Sequence, residues 1–125
     1  MYPNFNLFEF IYFSVKKICS YLDINTKIII SSELEVDHSL KSQEKVISFC
    51  KELKSKTYIN AIGGQELYDK STFQKNNLNL NFIKTNPIEY KQFNNSFEPW
   101  LSIIDLLMFN SREELKLHLN NYTLI

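Results

Sequence analysis

The strongest constraint on the fold lies in the run Thr57-Tyr-Ile-Asn-Ala-Ile-Gly-Gly-Gln-Glu-Leu-Tyr-Asp69. An apolar, β-branched segment there runs straight into Gly63 and Gly64, the only two glycines among 125 residues. A chain this poor in glycine has few places where its backbone can turn left-handed or approach another group without a Cβ in the way. An adjacent pair behind a strand-like stretch therefore predicts a sharp strand-to-helix bend. The same order of strand, glycines and helix start is how α/β proteins turn main-chain amides toward a ligand. The amides of Gly64, Gln65 and Glu66 are thus candidates to hold a phosphate or carboxylate. No Gly-x-Gly-x-x-Gly or Walker sequence is present, so on residues alone a tight turn with positive φ and no ligand is the better account.

On either side of the bend the hydrophobic pattern switches between helix and strand. Phe8, Ile11, Val15, Ile18 and Leu22 recur at three- and four-residue steps and predict a helix over 7–22. Lys27–Ser32 is a short β-branched run apolar at consecutive positions, which suits a strand covered on both faces. Val46, Ile47, Cys50 and Leu53 predict a helix over 43–53, and Thr57–Ile62 a second strand. Asp69–Asn76 makes a short helix with Asp69 as N-cap. Leu78–Phe82 alternates apolar with polar and predicts a third strand, open to water on one face. Pro99 suits the first position of a helix carrying Trp100, Ile103, Ile104, Leu107 and Met108. Ser111-Arg-Glu-Glu114 is a capping box for a last helix running to about Asn120.

Strands that alternate with helices imply parallel pairing through right-handed crossovers. The expectation is a single α/β domain over 1–125. Its small three-stranded, mostly parallel sheet, half of a Rossmann-like fold, carries flanking helices and a C-terminal helical pair. In such a sheet ligands sit beyond the carboxyl ends of the strands. Three loops are then expected to share one edge: Ser31 to His38, Ile62–Gly64, and Lys84–Thr85. A buried-type strand at Ile28–Ile30 would be exposed at the edge of so small a sheet.

Fourteen basic and fourteen acidic residues cancel, which leaves no electrostatic footprint for nucleic acid. Cys19 and Cys50 stand alone, without a second cysteine or a histidine at ligand spacing, so free thiols and no metal are expected. No 18-residue apolar stretch suggests a membrane span, and Met1–Phe5 lacks a basic leader, so a cytoplasmic location is expected.

Among polar residues, Asp37 and His38 lie in the first of the three loops, and a histidine there could move protons near neutral pH. A histidine beside an aspartate in a polar loop is more often solvated surface. Asn60 interrupts an apolar strand and is either satisfied by backbone or aimed at the ligand edge. Tyr68 more often packs its ring than donates a proton. Asp69 reads as a helix cap before it reads as a catalytic carboxylate. Ser102 and Asp105 share one face of an apolar helix, either to orient a partner or substrate or, more plainly, as a helix cap at Ser102 and a solvated or lysine-paired Asp105. His118, among leucines on the last helix, reads as structural. No Gly-x-Ser-x-Gly elbow is present, so Ser102 is not expected as a nucleophile.

Three blocks taken together, Thr57–Asp69, Glu89-Tyr-Lys-Gln-Phe93 and Phe97–Asn110, resemble the C-terminal half of WbqC-like proteins, in register over roughly residues 25–125. That family is bacterial and associated with O-antigen gene clusters. The resemblance implies a transferase of surface-polysaccharide biosynthesis that moves an amino-acyl (glycyl) or related group to a sugar, the sugar being nucleotide- or lipid-linked. It names no cofactor. It brings His38, Asp37 and Asp69 forward as catalytic candidates. Asn60, Gly63, Gly64, Gln65, Tyr68, Tyr90, Gln92, Ser102 and Asp105 become candidates for substrate or anion binding. The stretch His38–Lys45 is similar to a family segment that usually has glycine at the position of Ser42. The family's N-terminal Gln-Pro and Gly-Tyr-Phe signature has no match in Met1–Asn25, which implies a partial domain without its N-terminal half. Self-association, or pairing with that half, is the corresponding expectation. A non-catalytic binding half and a Rossmann-like nucleotide-binding domain are the alternatives.

Overall fold

The computed structural model describes residues 6–94 and 96–125. Its elements in chain order are α1 (Leu7–Tyr21), α2 (Ser42–Glu52), β1 (Thr57–Ala61), α3 (Lys70–Lys75), β2 (Asn79–Thr85), α4 (Ile103–Phe109), α5 (Arg112–His118) and β3 (Tyr122–Leu124). Single 3-10 turns occupy Ser31–Glu33 and Ile62–Gly64. The chain forms two compact units, one holding the chain up to Lys27 with Pro87–Asn121, the other Ile28–Asn86 with Tyr122–Ile125.

The second unit contains the sheet, in the order β1-β2-β3. β1 and β2 run parallel, Thr57 opposite Asn79 and Ala61 opposite Ile83, as the strand–helix–strand pattern requires. The alternation in β2 turns Leu80 and Phe82 into the core, where they meet Ile47 and Cys50 of α2, Phe73 of α3, and Leu78. Phe73 is fully enclosed. Tyr58 stacks on Phe73 with ring centres 5.7 Å apart, and Tyr68 meets both rings edge-on.

The third strand is not the expected one. Ile28–Ile30 has no ladder partner, and Ile28 and Ile29 are 36% and 37% exposed. β3 takes its place, pairing antiparallel with β2 through Ile83–Leu124, Lys84–Thr123 and Thr85–Tyr122. A β-branched run records the capacity to be a strand, but a strand also needs an open edge beside it. The edge of β2 is filled from the C-terminal segment, whose three residues are too few to show a period. The sheet is therefore mixed, and the Ser31–His38 loop follows no strand.

The glycine-poor composition is resolved at the helix ends. α1, α2 and α3 all close with a left-handed residue, at Asp23 (φ 55°), Lys54 (φ 52°) and Asn77 (φ 59°). In each, the next amide reaches back to the helix: Ile24 N–H to Cys19 C=O at 2.8 Å, Ser55 N–H to Cys50 C=O at 2.8 Å, Leu78 N–H to Phe73 C=O at 3.0 Å. These are Schellman closures made without glycine. Ser42 also has positive φ (47°). Neither glycine has positive φ, which overturns that account of the Gly63–Gly64 bend.

In the first unit α5 opens as expected: Ser111 and Glu114 cap one another, Glu114 Oε2 accepting from Ser111 N–H at 2.8 Å. Leu115 and Leu22 are its buried apolar anchors. Asp23, just past the end of α1, accepts from Lys116 at 2.5 Å and pairs with Arg112. Pro99 does not open α4. Trp100 takes a left-handed φ of 61°, which no right-handed helix accommodates, and Ser102 becomes the N-cap, accepting from Ile104 N–H at 3.2 Å. Among the described residues, no helix is long and apolar enough to cross a membrane.

Candidate functional site

The carboxyl ends of β1 and β2 lie together by virtue of parallel pairing, and Asn60, Gly64 and Tyr68 gather beside them. A Cβ built on Gly64 would fall 2.3 Å from Asn60 Nδ2 and 3.6 Å from Tyr68 Cδ2. Gly64 is thus buried because a side chain of β1 occupies the space its own would need. Gly63 has nothing within 4 Å. The Gln65 amide, a candidate anion donor, bonds to Ile62 C=O at 3.3 Å. Asn60 Oδ1 accepts from Ala61 N–H at 2.9 Å, the backbone satisfaction weighed for it.

Asp69 caps α3. Its carboxylate accepts from Ser71 N–H (3.2 Å), Thr72 N–H (2.9 Å) and both of their hydroxyls (2.7 and 2.6 Å). Those bonds, the Thr72 hydroxyl foremost, hold its pKa far below the usual carboxylate range and make it a poor base. Its own amide donates to Gln43 Oε1 at 3.2 Å, a contact 26 residues distant in sequence that no local pattern announces.

Asp37 and His38 are not hydrogen-bonded to each other. Asp37 accepts from the hydroxyl and amide of Ser39, which lower its pKa, while His38 Nε2 lies 3.1 Å from Leu34 C=O. A carbonyl only accepts, so Nε2 carries the proton there. Lys45 Nζ donates to His38 C=O at 3.0 Å.

The first unit brings three of the candidates into one network. Tyr90 donates its hydroxyl to Asp105 Oδ2 at 2.5 Å, and Gln92 Nε2 donates to the same oxygen at 3.0 Å. Gln92 is held by the chain itself, donating to Glu98 C=O at 3.1 Å and accepting from Glu98 N–H at 2.7 Å. At 9% exposure it is the buried polar side chain of the described residues. Desolvation first, and then the carboxylate beside it, raise the Tyr90 pKa. Phe97 meets the Tyr90 ring edge-on at 5.2 Å, and Phe109 lies 6.5 Å from it. Among the described residues no hydrogen bond reaches Asp105 Oδ1. Two aromatic residues in left-handed backbone, Phe93 (φ 45°) and Trp100 (φ 61°), flank the loop, each 73% exposed. Bulky residues rarely adopt that region, and where they do the surrounding structure enforces it.

Ser102 is the N-cap of α4, the plainer of its two readings, and takes no part in the Asp105 network. Glu98, Phe97 and Phe109 were not singled out in the sequence. Their roles run through main-chain atoms and ring edges, which composition does not encode. Among the described residues, no group of three or more His, Cys, Asp or Glu side chains is placed to hold a metal ion. Cys19 and Cys50 are free, and burial raises the Cys50 thiol pKa.

Comparison with known proteins bears on these blocks. The WbqC-like protein family matches residues 1–117. That span starts at the first residue, which corrects the expectation that only a C-terminal half is represented and that Met1–Asn25 falls outside. The chain is also 28% identical over 91 residues to an uncharacterized protein of Mycobacterium tuberculosis, Rv1507c, covering 72% of this chain. The match spans 38% of that relative's length. No solved structure matches the chain.

Proposed function

Since the chain belongs to the WbqC-like protein family, we propose that it serves as a transferase in O-antigen or other surface-polysaccharide biosynthesis, passing an amino-acyl (glycyl) or related group to a nucleotide- or lipid-linked sugar. The observation that supports this most is the one-sided use of Asp105. Tyr90 and Gln92 both donate to Oδ2, which fixes the carboxylate and leaves Oδ1 for a ligand. In acyl transfer, a sugar amine or hydroxyl attacks the acyl carbon, the new bond to that carbon forms, and the bond to the leaving group breaks. The nucleophile's proton passes to Asp105 Oδ1, the role of a positioned general base. The aromatic rings around Tyr90 supply apolar surface for a sugar face.

Asp105→Asn in the host tests this, scored by surface-polysaccharide composition. Asparagine keeps an acceptor for Tyr90 and Gln92 but cannot take the proton. A folded variant with an altered polymer supports the reading, and an unchanged polymer counts decisively against it.

A non-catalytic binding domain is the second reading, favoured by α1. None of its fifteen residues is buried, and Leu7, Phe8, Phe10 and Ile11 are 50–70% exposed. Under that reading the purified chain self-associates, and a strictly monomeric species in dilute light scattering refutes it.

A further inference from the structure

We propose that the Tyr90–Gln92–Asp105 network receives a primary ammonium group, which binds Asp105 Oδ1 while the apolar side of its carrier rests on the neighbouring aromatic rings. The charge balance points there. Asp105 is half-buried, and its carboxylate is met only by dipoles: the Tyr90 hydroxyl at 2.5 Å, the Gln92 amide at 3.0 Å and the first turn of α4. Neutral donors orient a carboxylate but leave its charge standing. Among the described residues the ion pairs of lysine and arginine all go to Asp23, so no side-chain cation pairs with Asp105. A charge held partly away from water favours a counterion.

The surrounding rings suit the same ligand. Phe97 meets Tyr90 edge-on at 5.2 Å, Phe109 lies 6.5 Å from Tyr90, and Phe93 meets Phe109 edge-on at 4.7 Å. Ring faces attract a cation and also cover the C–H side of a small carrier. Phe93 holds its ring there from left-handed backbone (φ 45°), with 73% of the residue exposed. So little of it is buried that packing alone does not account for the strain. Other ligand classes fit less well. Among the described residues no group of three or more His, Cys, Asp or Glu could hold a metal ion, and Tyr90, Gln92 and Asp105 offer no positive charge to a phosphate. The carrier of the ammonium rests on the transferase reading of this site, as an amino-sugar acceptor or a glycyl donor. An acceptor ammonium sheds one proton to water, and its free amine then attacks from beside Oδ1. A donor ammonium makes Asp105 an anchor instead of a base.

The probes are two matched pairs titrated into the ¹⁵N-labelled chain: glucosamine with N-acetylglucosamine, and glycinamide with N-acetylglycinamide. The Gln92 side-chain amide, which donates to the same carboxylate, is the reporter. In at least one pair the ammonium member should bind about tenfold tighter than its acetylated partner, the step that one charge-assisted contact supplies. The pair with the larger preference names the source, sugar acceptor or glycyl donor. Asp105→Asn keeps an acceptor for Tyr90 and Gln92 and should erase the preference. Phe93→Gly relieves a left-handed residue, so the chain should stay folded, and it should weaken the preferred ligand about threefold. Equal affinities within both pairs, a preference that survives Asp105→Asn, or no effect of Phe93→Gly overturns the proposal. The transferase reading falls on a different result, an unchanged polymer in the host, so the two can fail separately.

Discussion

Replacing Gly64 with alanine tests directly why a glycine stands there. Its backbone is not left-handed, so alanine meets no conformational barrier. The obstacle is Asn60, whose Nδ2 and Cγ would lie 2.3 and 3.1 Å from the new methyl. Relief requires turning the Asn60 amide aside, which sacrifices its bond from Ala61 N–H at 2.9 Å. Overpacking of this kind costs about 1–3 kcal/mol, and the lost bond about 1 kcal/mol. The lower entropy of the unfolded alanine chain offsets about 0.4–1 kcal/mol. The net expectation is a loss of about 2 kcal/mol, or roughly 8 °C in Tm for a chain of this size. Gly63→Ala, with nothing within 4 Å, should instead gain about 0.4–1 kcal/mol. Thermal unfolding of both variants, and of Gly64→Ala in an Asn60→Ala background, completes the cycle. If the two glycines respond alike, or if removing Asn60 leaves the cost of Gly64→Ala unchanged, the steric account fails.

Lys54→Gly, at a left-handed helix end, should stabilise by about 0.5–1 kcal/mol, because the conformational relief exceeds the entropic cost of glycine; urea unfolding checks it, and a loss of stability refutes it. Asp69→Ala removes the cap of α3 and should lower the thermal midpoint at neutral pH. Because the folded carboxyl pKa is depressed, the Asp69 contribution is present above its unfolded pKa and fades as pH falls below it, so wild type and variant should converge in acid. Tyr58, half-buried against Tyr68 and Phe73, has its pKa raised to about 12, chiefly by desolvation. A phenol whose folded pKa lies above its unfolded value stabilises below the unfolded pKa and loses that contribution as pH rises. Stability should therefore fall between about pH 10 and 12, and Tyr58→Phe should flatten that part of the Tm profile.

The family blocks pointed to Tyr90, Gln92 and Asp105 without saying how they meet. Gln92 lies 13 residues from Asp105, and their meeting depends on a loop whose turns are set by Phe93 and Trp100 in left-handed backbone. Neither residue type advertises that conformation. The glycine pair misled for the complementary reason. Glycine is needed both where φ is positive and where space is short, and sequence does not distinguish the two. Here Asp23, Lys54 and Asn77 took the first duty, and Gly64 the second.

By itself the sequence determined what depends on neighbours along the chain. The periodicity of α1 and α2, the parallel β1–β2 unit, the Asp69 cap and the capping box of α5 are all decided within a few residues, where side-chain spacing and backbone hydrogen bonding act together. Only the tertiary structure decided which segment completed the sheet, why Gly64 lacks a side chain, and which carboxylate gained a tyrosine and an amide as partners. Those outcomes turn on distances between residues far apart in the chain, and such distances exist only once the layers have packed.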